Sequence, residues 1–179
     1  VLIILAGGTL GLLTILRNGG TKPTLGTNAT GQVAFFDNAN GIAGNTDALK
    51  ISIQGLQAPP AGSQYDAWLV NDASEQFTAL GSLTTSGQTF ALSYAGNGSG
   101  GQAGTNLLSL GDRLEVTLEQ GSVNSPTGKV ILSAAFPPKA FVHIKHLLFS
   151  FPTTPGKVGL VVGLLNQAQL LDAQALLLQ

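Results

Sequence analysis

Over 179 residues, apolar side chains make up 44% and charged ones only 9%, with a formal net charge of −1 and no cysteine. A soluble domain typically carries about 25% charged residues, so this chain is short of the charge that keeps a free protein dispersed. The balance excludes a basic field for nucleic acid, disulfides, thiolate metal sites and cysteine nucleophiles, and it argues against intrinsic disorder.

Val1 to Leu16 is apolar apart from Thr9 and Thr14. As a helix it would reach roughly 24 Å, slightly short of the ~30 Å hydrocarbon core of a bilayer. The chain begins at Val, and a few more apolar residues upstream would complete a span. The expectation is therefore a single transmembrane helix over residues 1–17, in preference to a signal-peptide core. Gly7 and Gly11 stand four apart, the spacing that lets a second membrane helix approach closely. Arg17 and Lys22 follow. Residues 18–31, rich in Gly, Thr and Asn, read as a linker that lifts the next domain off the membrane.

Residues 32–136 carry the signature of short antiparallel strands. Gln32 to Phe36 is the first. Ala48 to Gln54 alternates, with Leu49, Ile51 and Ile53 on one face and Lys50, Ser52 and Gln54 on the other. Tyr65 to Val70 is almost wholly apolar, which suits a central strand covered on both faces. It holds the chain's single Trp, Trp68. Asn71 to Ser74 has turn chemistry, and Phe77 to Leu80 reads as the returning strand. Thr89 to Tyr94, Arg113 to Glu119 and Lys129 to Ala135 complete a set of about seven. In Arg113 to Glu119 the expected inward set is Leu114, Val116 and Leu118, and the outward set Arg113, Glu115, Thr117 and Glu119. The fold class is mainly β, an antiparallel β-sandwich whose core is built around Tyr65, Trp68, Leu69 and Val116.

From residue 137 to 179 the period changes to a helical hairpin. Phe141, Ile144, Leu148 and Phe151 form one stripe of a helix over Lys139 to Phe151, and Lys139, His143, His146 and Ser150 the other. Pro152 to Gly156 breaks it. A second helix runs from Val158 to Leu178, in which Val161, Leu164, Ala168, Leu171, Ala175 and Leu178 keep alternating steps of three and four, a heptad-like seam. Asn166, Gln167, Gln169 and Asp172 make this helix too polar for a full membrane span. The hairpin is expected to pack on the sandwich, on the membrane or on a partner.

One ordered series of residues is familiar. Tyr65-Asp-Ala-Trp-Leu-Val70, Leu80-Gly-Ser-Leu83, Leu114-Glu-Val-Thr-Leu-Glu119, Gly121-Ser122, Pro126-Thr-Gly128 and Val130-Ile-Leu-Ser-Ala134, preceded by Gly55-Leu-Gln-Ala-Pro-Pro60, resemble the C-terminal domain of bacterial anti-sigma-K factors over roughly residues 31–135. The resemblance implies an extracytoplasmic β-sandwich carried on one transmembrane helix and modulating signalling. The cytoplasmic sigma-binding segment of such factors has no counterpart in these residues, and the helical tail departs from the simplest members of the family.

No reaction is legible. His143 and His146 stand three apart on one helix side, an arrangement that would permit a shared metal, but zinc needs three or four ligands. The nearest acids in sequence are Glu119 and Asp172, and the pair reads as a polar helix face. Gly96 to Gly101 matches a dinucleotide fingerprint in letters only, since no helix follows. Asp66, Asp72, Asp112, Glu115 and Glu119 would have to meet in a cleft to do acid/base work, and read as exposed charges at strand edges. The sequence points to a non-enzymatic protein of the cell membrane, single-pass, with its sandwich on the extracytoplasmic side. It needs no catalytic residue, metal or cofactor. Its partners are membrane lipid and a regulatory protein or other membrane subunits, with neither nucleic acid nor a small-molecule substrate. The alternative is a single-span accessory subunit of a larger bacterial membrane complex.

Overall fold

The computed structural model describes residues 2–6, 9–16, 29–38, 44–95 and 104–178, the first two segments by their backbone path. The described residues form two antiparallel sheets, two α-helices after the last strand and two short 3-10 turns. The first sheet has the strand order β1 (Leu2–Ala6), β2 (Thr9–Leu16), β3 (Thr30–Phe36), β4 (Ala48–Gln54), β8 (Thr89–Tyr94), β7 (Thr84–Ser86). The second runs β10 (Lys129–Ala135), β9 (Arg113–Gln120), β5 (Ser63–Asn71), β6 (Gln76–Ser82). Helices α1 (Pro138–Leu148) and α2 (Leu160–Leu176) follow the last strand.

The expected transmembrane helix over residues 1–17 is not what the chain forms. Leu2–Ala6 and Thr9–Leu16 run as an antiparallel pair, closed by Ala6 opposite Thr9, and β2 then pairs with β3. The residues between the paired ends are Gly7-Gly8. Two glycines disfavour a helix interior and are a common two-residue hairpin connection. An apolar run of this length fits a buried strand as readily as a helix. Gly11 therefore sits in β2 opposite Ile4, not on a helix-packing face, and Gly7 lies outside the described residues. Most of the expected linker does too, while Thr30 and Gly31 already belong to β3. Among the described residues no helix is long and apolar enough to cross a membrane.

The sandwich itself follows the alternation in the sequence. β4 buries Leu49, Ile51 and Ile53 and exposes Lys50, Ser52 and Gln54. From β5, Tyr65, Ala67 and Leu69 enter the main cluster, where they meet Val33, Phe35, Phe90, Leu114, Val116 and Leu132. The Tyr65 ring stands edge-on to Phe90 of the opposite sheet at 5.3 Å, and its hydroxyl donates to the Gln57 carbonyl at 3.1 Å. Among the described residues, 30–135 hold eight strands, one more than expected. The addition is β7, a three-residue edge strand reached when the chain passes from one sheet to the other at Leu83, whose N–H bonds the Tyr65 carbonyl at 2.8 Å.

Trp68 is buried, but it is not part of the main cluster. Side chains alternate along a strand, so Asp66, Trp68 and Val70 point to the opposite face of the sheet from Tyr65, Ala67 and Leu69. That second face is also closed: Asp66, Trp68 and Val70 are all buried. The strand is covered on both sides, as its apolar run implies. The supposed outward set of β9 is corrected for the same reason. Thr117 and Glu119 are fully buried and Glu115 is nearly so, because they share this closed face with Trp68.

The indole Nε1 of Trp68 donates to Thr117 Oγ1 at 2.8 Å. The Thr117 hydroxyl in turn bonds the Glu119 carboxylate. Glu119 also receives the Thr127 N–H at 3.1 Å and the Thr127 hydroxyl at 2.8 Å, and the Gly128 backbone. Burial pushes the Glu119 pKa up, but these four hydrogen bonds outweigh burial and hold it below the ordinary 4.5. Gly128 has to be glycine here, because a Cβ would lie 1.9 Å from the Leu118 carbonyl oxygen.

Two outcomes follow from this relay. Thr117→Val leaves a buried indole N–H without a partner, which costs about 1–3 kcal/mol; urea denaturation followed by Trp68 fluorescence reads that loss. A carboxyl group whose folded pKa is depressed stabilises fully above its unfolded value and loses that contribution as pH falls through the folded value. Wild-type stability should therefore fall from about pH 4.5 downward, and Glu119→Gln should show a smaller fall between pH 5 and pH 3 in the same titration.

Candidate interaction surface

The helical tail is fixed to one end of the sandwich through a ladder of aromatic rings. Phe136 lies 5.7 Å from Phe35 and stacks on Phe141 at 4.8 Å. Pro138 occupies the first turn of α1, where its missing N–H has no consequence. Ile144 is buried, and Ala140, Phe141 and Leu148 pack against the core cluster, which is the apolar stripe the helical spacing defines. At the other end of α1, Asn106 joins three things. Its side chain caps the short 3-10 turn Leu107–Ser109 by accepting the Leu108 N–H at 3.0 Å, and its amide donates to the Leu148 carbonyl at 3.0 Å. Leu107 and Leu108 are thereby set into the core under the helix.

The turn between the helices is tight. Thr154 Oγ1 bonds the Phe151 carbonyl at 2.9 Å and also the Val158 carbonyl. Gly156 and Lys157 both take the left-handed conformation. At Gly159, which opens α2, an added Cβ would sit 2.4 Å from the Leu147 carbonyl oxygen, so the start of α2 crosses directly over the last turn of α1. Val162 and Leu165 then pack toward Gly44, and Gly163 faces Thr154 and Val158.

Past this docked turn α2 is exposed among the described residues. Residues 167–178 are exposed on every side. Leu164 is 71% exposed, Leu171 67% and Leu178 90%. Among the described residues the large apolar side chains left exposed are Phe77, Val130 and nine on the tail: Val142, Leu147, Leu160, Leu164, Leu170, Leu171 and Leu176 to Leu178. Apolar exposure is thus concentrated on one hairpin rather than scattered.

The candidate chemical residues are placed elsewhere or already engaged. His143 is exposed, and His146 stands edge-on to Phe151 at 5.4 Å. Among the described residues no group of three or more His, Asp or Glu is placed to hold a metal. Of the carboxylates expected at exposed strand edges, Asp72 is exposed and Asp112 half-buried, while Asp66, Glu115 and Glu119 are buried. Asp66 is buried and takes the Gln64 amide at 2.9 Å. Arg113 pairs with Asp72 at 2.7 Å and with Glu115, while Asp112 accepts the Asp72 N–H at 3.0 Å. Gly96 to Gly101 lies outside the described residues. A cleft of about 290 Å³ opens beside the hairpin turn, between Asn45, Asn106, Phe149, Lys157 and Val162. The two Asn amides there already donate to the Gly104 and Leu148 carbonyls, and Ser150 and Lys157 complete the polar side chains of the lining.

Comparison with known protein families, with curated proteins and with solved structures finds no match for this chain.

Asn106, Thr154 and Gly159 carry the surface, and none was singled out from the sequence. Asn followed by Leu-Leu-Ser is a capping pattern, and it was the one readable signal among them. Asn106→Ala should cost about 1–3 kcal/mol by leaving the Leu148 carbonyl and the turn N–H unpaired, and should raise hydrogen exchange in α1 before it does so in β5. Gly159→Ala should separate the two helices at their crossing; limited proteolysis at residues 150–159 reads that as faster cleavage than in the wild type.

Proposed function

We propose that the chain is a non-enzymatic contact module, a β-sandwich that presents a helical hairpin to a protein partner on the extracytoplasmic side of a bacterial membrane. The observation that carries this reading is the concentration of exposed large apolar side chains on the tail, nine of the eleven among the described residues. Patches of this kind mark interaction sites more often than they occur by chance on monomers. The series from Tyr65 to Ala134 that resembles the anti-sigma-K C-terminal domain supports the extracytoplasmic placement and a regulatory or sensing role. The very low charge content favours a second reading, in which the association is permanent and the chain is an accessory subunit of a membrane complex.

The test is affinity capture of the tagged full chain from bacterial envelope fractions in mild detergent, with mass spectrometry of the bound proteins. Wild type should retain a stoichiometric partner that the Leu164→Glu/Leu171→Glu double variant loses, with Trp68 fluorescence unchanged in both. A regulatory protein in the bound fraction supports the first reading and a fixed set of membrane subunits the second. Identical bound fractions for wild type and variant would contradict the hairpin as the contact surface.

A further inference from the structure

The exposed face of α2 is organised, and its organisation says what fits it. At 100° per residue, Val161, Leu164, Ala168, Leu171 and Ala175 share an arc of about 80°, and Leu178, in the turn just past the helix end, continues their spacing. The docked residues Val162 and Gly163 lie on the other side of the helix, and Leu165 borders the seam beside Val161. The seam therefore points away from the sandwich. No polar residue interrupts it, and the helix carries a single charge, Asp172, at its flank.

The seam also reads the same in both directions. Its steps are three, four, three, four, three. Laid antiparallel on a copy of itself, it places Leu164 opposite Ala175, Ala168 opposite Leu171, and Val161 opposite Leu178. Each central leucine meets an alanine, so a large side chain fills the space a small one leaves, and both halves of the contact are satisfied by one two-fold axis. That is the requirement for an isologous interface, in which residue i meets j and j meets i. The flanking residues agree with it, since Gln167 meets Gln174 and Asp172 faces Leu165, so no charge is set against its own copy. A partner chosen by charge would find almost nothing to read on this helix.

Resting on the reading of the hairpin as a contact surface, we propose that its partner is a second copy of this chain, joined through an antiparallel pairing of the two α2 helices along the Val161–Leu178 seam. Six seam residues per copy bury roughly 1,000 Å² in total, near the lower limit of specific interfaces. An interface of this size lies in the range of transient complexes.

Sedimentation equilibrium of the full chain across the micromolar range tests this. The mass should rise from 18.2 kDa toward twice that value. Leu164→Glu/Leu171→Glu should hold it at the monomer mass. Leu170→Glu, on a different side of the helix, should leave the association unchanged. The discriminating variant is Ala168→Leu: it adds apolar surface, so a merely adhesive patch would associate more strongly. In the paired seam it collides with Leu171 of the second copy and should weaken association by about tenfold. A monomer at every concentration, or tighter association of Ala168→Leu, overturns self-pairing. If the wild type is monomeric while affinity capture still depends on Leu164 and Leu171, self-pairing falls and the contact reading stands. If those leucines affect neither measurement, both fall.

Discussion

The hydrogen bond from the Trp68 indole to the Thr117 hydroxyl, passed on to the Glu119 carboxylate, is the contact on which the sandwich depends. It ties β5 to β9 on the face turned away from the main core and fastens the turn before β10 through Thr127 and Gly128. A buried network of this kind stabilises only when every member is satisfied. Here the indole N–H, the hydroxyl and the carboxylate are all paired. With its second face closed, β5 is held from both sides, and the inner face can commit Tyr65, Ala67 and Leu69 to the cluster on which α1 rests.

From that cluster the ring series Phe35, Phe136 and Phe141 leads out to the tail. Asn106 and Gly159 then set the hairpin's direction, one by bonding the end of α1 and the other by letting α2 cross it closely. The consequence is a packed base under a helix whose far half is exposed among the described residues. A sandwich short of surface charge has little else with which to choose a partner. On the proposed reading, recognition rests on the shape and spacing of leucine and alanine on one helix face, a helix-packing code rather than an electrostatic one.

Much of the sandwich was legible because period-two alternation is a local property. β4, β8 and β10 fall on the residues where the pattern placed them, and the ends of β5 and β9 differ by one or two residues. Alternation says which residues share a face, but not whether the second face stays wet. Thr117, Glu115 and Glu119 alternate with apolar neighbours as surface residues do, yet they are buried on the closed face they share with Trp68. The run Leu2 to Leu16 failed for a different reason. Continuous apolar sequence has no period, so strand and helix differ only in length and in the weight given to Gly7-Gly8. The helical seam was visible from its steps of three and four, whereas which side of α2 would be docked depended on Gly44, Thr154 and Val158, residues distant from it in sequence or outside the helix.

The most direct measurement is hydrogen–deuterium exchange of the intact chain at two concentrations far apart. If α2 is a contact helix that pairs with its copy, its amides from Leu164 to Leu176 should exchange rapidly in dilute solution and gain protection when concentrated, while β5 and β9 exchange slowly and equally in both. Protection of α2 that is already complete at high dilution, or that never changes with concentration, would contradict it.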